Sequence, residues 1–493
     1  MPIYHFTSSE EDSVTMKEIV PILALVMVLV LGTEGRGPFQ KMFPTHGNLN
    51  LPSGADAGDP LFLTPLLEAG KIQEARALSH VQLGHRHSHS FSGFFTVNKT
   101  FSSNLFFWFF PARTGADNAQ VTGADNAPVV IWLQGGPGGS SLFGLFTEHG
   151  PFSVDSKLRL VPRQYAWTKT LNVLYVDNPV GTGFSFTKDN RGYARNQTAV
   201  GADLYQALLQ FFTLFPELQH NAFYVTGESY AGKYVPALAY TIHKNNPAAN
   251  LKINLQGLAI GDGLCDPVTM TDYGDLLYQV GLIDSLDKEY FKNQSDQIVS
   301  LINKQQWLQA FTLFDDLLNG DKSGHPSYFT NVTGLTNYYN FLANGEPEDM
   351  NYWSKYINQA TVRRAIHVGN LTFNDGSVVE TNLEEDIMKS VKPWIEELLD
   401  NYLVLIYNGQ LDIIIGYTLT ENFLDTLDWK MAGQFQQSPR YVWKVDGQVA
   451  GYVREVPGFV QILVRNAGHM IPYDQPQWAF DMINRFTAQK SFA

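Results

Sequence analysis

A serine that attacks acyl carbons needs a base to take its proton, an acid to orient that base, and backbone donors for the oxyanion. Ser229 sits in Gly227-Glu228-Ser229-Tyr230-Ala231-Gly232, behind the aromatic and β-branched run Phe223–Val225 and ahead of apolar positions suited to a helix. A serine on such a strand–turn–helix elbow has its Oγ held out of the sheet. Small flanking residues let the two backbones approach, and Gly227, Ala231 and Gly232 meet that need. The bare motif also arises by chance in unrelated chains, so its weight comes from the rest of the sequence.

Asp412 follows the apolar run Tyr402–Tyr407, in Asn408-Gly409-Gln410-Leu411-Asp412. His469 follows a run ending at Val464, in Asn466-Ala467-Gly468-His469-Met470. Each is placed at the carboxyl end of a strand, the edge where open α/β sheets bind ligands. The order Ser, Asp, His is that of the nucleophile-elbow hydrolases. His469 would deprotonate Ser229, and Asp412 would hold the imidazole tautomer. Read singly, Asp412 and His469 could be turn residues; three placements in the required order favour the triad. Upstream, Trp132-Leu133-Gln134-Gly135-Gly136-Pro137-Gly138-Gly139-Ser140-Ser141 follows the run Val129–Leu133. Its glycines let backbone N–H groups reach a ligand oxygen. A phosphate loop would end in Lys-Ser/Thr, which this one lacks.

The elements that must position these residues are short buried strands alternating with helices. Phe91–Val97 and Leu105–Phe110 are expected to pair antiparallel; Val129–Leu133, Asn172–Val176, Phe223–Val225, Leu255–Ile260, Tyr402–Tyr407 and Val460–Val464 suit a mostly parallel sheet. Ala199–Phe215 has a helical pattern ended by Pro216. The stretch from about 266 to 395 breaks the rhythm between two core strands and reads as a largely helical inserted cap, Ile298–Leu318 above all.

At 493 residues, 44% hydrophobic and 17% charged, the chain can bury a large core. Its formal charge of −14 argues against nucleic acid and anionic membrane surfaces. The single cysteine, Cys265, excludes an internal disulfide and a cysteine metal cluster. No metal or cofactor is expected. Lys17 precedes 13 uncharged residues, Ile19–Leu31, the length of a signal-peptide core and short for a bilayer span. Residues 1–35 therefore read as a signal peptide and 36–90 as a leader, followed by one domain over 91–488 and a tail over 489–493. No stable membrane anchor is expected. The histidines between His80 and His89 read as a solvated loop rather than a metal site. Asn98, Asn196, Asn293, Asn331 and Asn370 head Asn-x-Ser/Thr sequons, glycosylation candidates on the secretory route.

Four separated motifs together resemble the serine carboxypeptidases, acid-pH peptidases of the α/β-hydrolase fold: Trp132–Ser141, Asp177-Asn178-Pro179-Val180-Gly181-Thr182-Gly183-Phe184-Ser185, Gly227–Pro236 and Gly468-His469-Met470. The region Ser354–Gly376, with His367-Val368-Gly369-Asn370, narrows the resemblance to one branch of that family. The resemblance implies a secreted or lysosomal/endosomal exopeptidase that removes C-terminal residues from peptides through an acyl-enzyme on Ser229. It implies Gly136 and Tyr230 as oxyanion-hole donors, and Gln134, Glu148 and Glu228 as the site for the substrate's free carboxylate. A carboxylate binds another carboxylate only through a shared proton, which favours acidic pH. For Glu148 the plain alternative is a surface glutamate. Two positions depart from the family: Gln134 stands where Asn is usual, one methylene longer, and Gly139 where Cys is usual. Acyl transfer or ester hydrolysis by the same triad, or a non-catalytic protective or binding role, are the competing readings.

Overall fold

The computed structural model describes residues 47–52, 54–83, 89–113, 126–320, 322, 324–343 and 345–492. The expected signal segment and His85 and His87 lie outside them. Among the described residues, eleven strands form the main sheet. In chain order they are β1 (His80–Val81), β2 (Ser90–Asn98), β3 (Ser103–Phe110), β4 (Val129–Leu133), β5 (Asn172–Val176), β6 (Phe223–Glu228), β7 (Leu255–Gly261), β8 (Leu403–Gly409), β9 (Tyr441–Val445), β10 (Gln448–Val456) and β11 (Phe459–Val464). Their spatial order is β1-β2-β3-β5-β4-β6-β7-β8-β11-β10-β9. The pairs from β5 to β11 are parallel, and both flanks are antiparallel. β4, β5 and β6 are buried along their whole length, which explains their unbroken apolar runs.

Helix α1 (Gln197–Leu214) starts where Asn196 Oδ1 accepts the Ala199 N–H and stops ahead of Pro216. It packs against α2 (Ala231–Asn245), the helix behind the elbow. A Cβ on Gly201 would stand 2.6 Å from the Ala237 carbonyl, so glycine permits this approach.

Between β7 and β8 lies the cap, with helices Tyr273–Gln279, Ser285–Asn303, Trp307–Phe314, Tyr328–Thr333, Tyr352–Ile357, Ala360–Ala365 and Ser377–Ile387. The expected boundary at 395 falls inside a further helix, Lys392–Leu399. Its Trp394 stacks on Tyr240 of α2 at 5.3 Å, so this helix belongs to the sheet crossover and not to the cap.

Both chain ends correct the sequence reading. The leader expected over 36–90 includes helices Thr64–Glu68 and Ile72–Ser79, which bury Leu67 and Ala75, and β1, which pairs with β2. Farther back, Leu49 pairs with Phe373, and its carbonyl accepts from buried Arg363 at 2.8 Å. The packed body therefore begins well before residue 91. At the other end Phe492 is buried against Trp443, so 489–492 is not a free tail. In each case a few well-spaced apolar side chains seat a segment whose composition is otherwise polar.

Candidate active site

Four neighbouring strands of the parallel core present titratable or nucleophilic groups at one edge. β6 ends in Glu228 and hands on to Ser229; Asp262 follows β7, Asp412 follows β8 and His469 follows β11. Ser229 has φ +64°, a left-handed conformation that is costly for serine and is the mark of an elbow. Its N–H donates to the Gly261 carbonyl at 2.9 Å, and its own carbonyl accepts from Gly232 and Leu264. Crowding enforces the small residues: a Cβ on Gly232 would lie 2.6 Å from the Leu264 nitrogen.

His469 and Asp412 meet as expected, with Nδ1 of the ring 2.7 Å from Asp412 Oδ2. Both are fully buried. The Ile415 N–H donates to the same carboxylate oxygen at 3.3 Å. Ser229 Oγ and His469 Nε2 are each buried without a partner among the described residues. Burial pushes the His469 imidazole down to about 4, against the opposing pull of Asp262, so the ring is a neutral acceptor through most of the acidic range. The cap helps to position the pair. The His469 N–H donates to the Tyr339 carbonyl at 2.7 Å, and the Ile413 N–H to the Tyr338 carbonyl at 3.0 Å.

The glycine loop after β4 lies against the elbow. A Cβ on Gly135 would fall 2.6 Å from the Tyr230 nitrogen and 2.7 Å from Ser229 Cβ, so only glycine fits. Tyr230 caps the N-terminus of α2, and Gly136 has φ +116°. Tyr230 directly follows Ser229, and Gly136 follows the Gly135 that packs against it. Asp177 secures the loop from behind: it accepts from Ser140 Oγ at 2.5 Å and from the Phe184 N–H at 2.9 Å. Burial raises this carboxyl to about 7.

Beside the nucleophile lies the expected carboxylate cluster. Gln134 Nε2 donates to Glu228 Oε1 at 2.6 Å, while Trp132 Nε1 donates to Gln134 Oε1 at 2.8 Å. The two contacts orient the amide. Glu148 is only 1% exposed, which removes the surface-glutamate alternative. It rides on a π-helical turn, Gly144–His149, that approaches Trp132 because residue 144 has no side chain. Burial raises Glu148 to about 8, countered by Glu228, Gln134 and Arg163. Glu228 is raised well above the usual range, first by burial and then by Glu148. A hydrogen bond between the two carboxyls therefore requires a proton held by the pair.

Sequence reasoning passed over Asp262 and Arg163, and quoted Asp177 in a motif without giving it a role. Asp262 follows a recognised strand at the same edge as Asp412, and that position was the available signal. The sequons are all accessible: Asn196, Asn293, Asn331 and Asn370 are exposed, and Asn98 is half-buried. His80 Nε2, on β1, and His89 Nδ1, exposed just ahead of β2, stand 2.5 Å apart; His85 and His87 lie outside the described residues. Among the described residues, no helix is long and apolar enough to cross a membrane.

A family profile described as serine carboxypeptidase matches residues 82–489. The probable serine carboxypeptidase CPVL of Homo sapiens is 54% identical over 462 residues, covering 92% of this chain and 95% of that protein. The venom serine carboxypeptidase of Apis mellifera is 50% identical, over 95% of this chain and 99% of its own length. The vitellogenic carboxypeptidase of Aedes aegypti is 43% identical, over 91% and 94% respectively. In fold, the prohormone-processing carboxypeptidase Kex1(delta)p of Saccharomyces cerevisiae superposes with a TM-score of 0.71 at 24% identity, over 82% of this chain and 92% of that one.

Proposed function

This chain belongs to the serine carboxypeptidase family, and we propose that it hydrolyses the last peptide bond of substrates with a free C-terminus, through an acyl-enzyme on Ser229. Ser229 Oγ attacks the scissile carbonyl as His469 Nε2 takes its proton. Asp412 holds Nδ1–H and stabilises the imidazolium that forms. The Gly136 and Tyr230 N–H groups receive the oxyanion. His469 then returns the proton to the leaving amine, and water repeats the cycle to release the shortened peptide.

The observation that carries the exopeptidase reading is the buried pair Glu148 and Glu228 beside the nucleophile, with Gln134 on Glu228. Gln134 supplies an N–H, and burial raises both Glu148 and Glu228, so the pair retains a proton in acid with which to hold a substrate carboxylate. An endopeptidase or general esterase has no use for a buried acid pair at that point. Blocked dipeptides with free and amidated C-termini test it: the free form should be cleaved at least tenfold more efficiently at pH 5, a difference of about 1.4 kcal/mol. Equal efficiencies would show that the cluster does not read the C-terminus. Fluorophosphonate labelling should fall on Ser229, and Ser229→Ala should lose on the order of a million-fold in turnover.

Export is the second part of this reading, supported by the apolar segment Ile19–Leu31 and the accessible sequons. A mature N-terminus between residues 32 and 40, with a mass shift on glycosidase treatment, is expected; an unprocessed, unglycosylated protein would refute it.

A further inference from the structure

The catalytic edge holds one more carboxyl than a triad needs. Asp262 follows β7, and β7 lies between the strands that carry Ser229 and Asp412. One oxygen of Asp262, one of Asp412 and a ring nitrogen of His469 all lie within 4.8 Å of one another. Both carboxyls are buried, and they divide their contacts in the same way. Asp262 Oδ1 accepts from the Gly409 N–H at 2.9 Å and from Asn408 Nδ2 at 3.2 Å; Asp262 Oδ2 has no donor. Asp412 Oδ2 takes His469 and the Ile415 N–H; Asp412 Oδ1 has no donor. Each acid is thus left with one bare oxygen in a site without water access. Two buried carboxyls with oxygens within 4.8 Å of each other cannot both stay ionised; one of them must hold a proton.

We propose that Asp262 is a positioning residue that works as a neutral carboxylic acid, donating its proton in a hydrogen bond to Asp412 Oδ1 and so fixing the carboxylate that orients His469. This deepens the triad reading given above and rests on it.

The charge distribution agrees. The Asp412 carboxyl, raised by burial, is drawn back toward ionisation by Asp262 and by the N–H groups of Ile413, Ile414 and Ile415. Asp262 is raised by burial and then by Asp412, with His469 and the Gly409 N–H opposing. Because Asp412 already takes His469 Nδ1 and the Ile415 N–H, contacts that favour its ionised form, the proton is assigned to Asp262. The other titratable groups near it are Glu228 on β6 and Tyr407 on β8. Asp262 also has φ +40°, a conformation that Asn and Asp tolerate better than other residues with a side chain. Its backbone is held there by its own N–H, which donates to the Tyr407 carbonyl at 2.8 Å.

Asparagine reproduces the protonated acid: its oxygen can accept from Asn408 and Gly409 while its amide N–H donates to Asp412. Alanine removes the donor and leaves Asp412 with a bare buried oxygen. The test measures kcat and KM against pH for Asp262→Asn and Asp262→Ala on a blocked ester without a free carboxylate, with thermal melts to confirm folding. Asp262→Ala should lose at least tenfold in kcat with little change in KM. Its acidic limb should move up by about one pH unit, because an unshared Asp412 charge holds the imidazolium more strongly. Asp262→Asn should stay within about threefold of wild type and keep the wild-type acidic limb. It should also lose any alkaline fall in kcat that comes from ionising Asp262. Wild-type profiles for both folded variants, or equal losses in both, would overturn the proposal. Asp412→Asn is the control: if it kept wild-type turnover, the triad reading would fail, and the role of Asp262 with it.

Discussion

His469 Nδ1 and Asp412 Oδ2 stand 2.7 Å apart on loops from adjacent strands, and the same cap segment braces both loops, through the Tyr339 and Tyr338 carbonyls. The bond fixes the tautomer that leaves Nε2 bare for the serine proton. Asparagine at 412 can turn its N–H₂ toward Nδ1 and stabilise the wrong tautomer. Asp412→Asn should therefore lose about 10⁴-fold in kcat with KM nearly unchanged. Steady-state kinetics decide it; a loss below tenfold would mean that Asp412 does not orient the base.

The carboxylate cluster predicts how KM depends on pH. Glu148, raised to about 8 by burial, and Glu228, also raised, hold protons in acid and lose them as pH rises. The ionised pair repels a substrate carboxylate, so KM for a free C-terminus should climb toward pH 8 while KM for the amidated peptide stays level. Glu228→Gln supplies a permanent donor and should delay or abolish the climb. Parallel KM profiles for the two substrates would rule out this role for the pair.

The same acids set the stability of the fold against pH. Glu148 moves from 4.5 unfolded to about 8 folded, and Asp177 from 3.8 to about 7. Over those ranges the folded state holds protons that the unfolded state has released, so stability is lost as pH rises through the folded values. His469, lowered from 6.5 to about 4, acts in the opposite sense but only below its unfolded value. From pH 6.5 to 8 the carboxyls therefore act without that opposition, at about 1.4 kcal/mol per pH unit for each retained proton. The melting temperature should fall across that interval, and Glu148→Gln should flatten the fall. A wild-type melting temperature that is constant from pH 6.5 to 8 would contradict the raised values.

The parallel core was legible because strands buried on both faces leave unbroken apolar runs, and the proposed triad residues stood out because each follows such a run. Other parts leave weaker traces. The hairpin β9–β10 is half exposed at the sheet edge, so no apolar run marks it. Its turn, Asp446-Gly447, has φ +48° and +79°, a two-residue signal that could have been used. The seating of residues 47–83 depends on scattered contacts such as that of Arg363 with the Leu49 carbonyl, which no local pattern announces. Asp262 escaped notice because a strand-end aspartate between glycines reads as a turn. Only the register of β7 against β8 brings it to Asp412.

Lys233 fastens the cap to the nucleophile helix. It is wholly buried on α2, and its ammonium donates to the Asp386 and Ile387 carbonyls at 2.7 Å each and to that of Lys389. These carbonyls lie at the C-terminal end of the cap helix Ser377–Ile387, where a cation also meets the favourable end of the helix dipole. Lys233→Met keeps the stem and leaves three buried carbonyls without that donor. We expect a loss of about 3 kcal/mol in unfolding free energy. A change under 0.5 kcal/mol in denaturant titration would show that solvent or repacking satisfies the carbonyls.

Gln134 gives the sharpest test of how the C-terminus is read. With Asn usual at this position in the family, the shorter amide could be the better carboxylate ligand. The structure argues the other way for this chain. The Gln134 side chain spans two fixed points, accepting from Trp132 Nε1 at 2.8 Å and donating to Glu228 Oε1 at 2.6 Å. Asparagine, one methylene shorter, cannot hold both. It would release either the buried indole N–H or the Glu228 contact, and the amide would lose its set orientation. Gln134→Asn should therefore raise KM for a free C-terminus about tenfold, the worth of one hydrogen bond in a buried site. KM for the amidated peptide and kcat for both should change much less, because the triad and the glycine loop are untouched. Measuring the two substrates side by side at pH 5 separates the cases. A lower KM for the free peptide in the Asn protein would show that the Trp132–Gln134–Glu228 bridge holds the amide back from the substrate instead of presenting it.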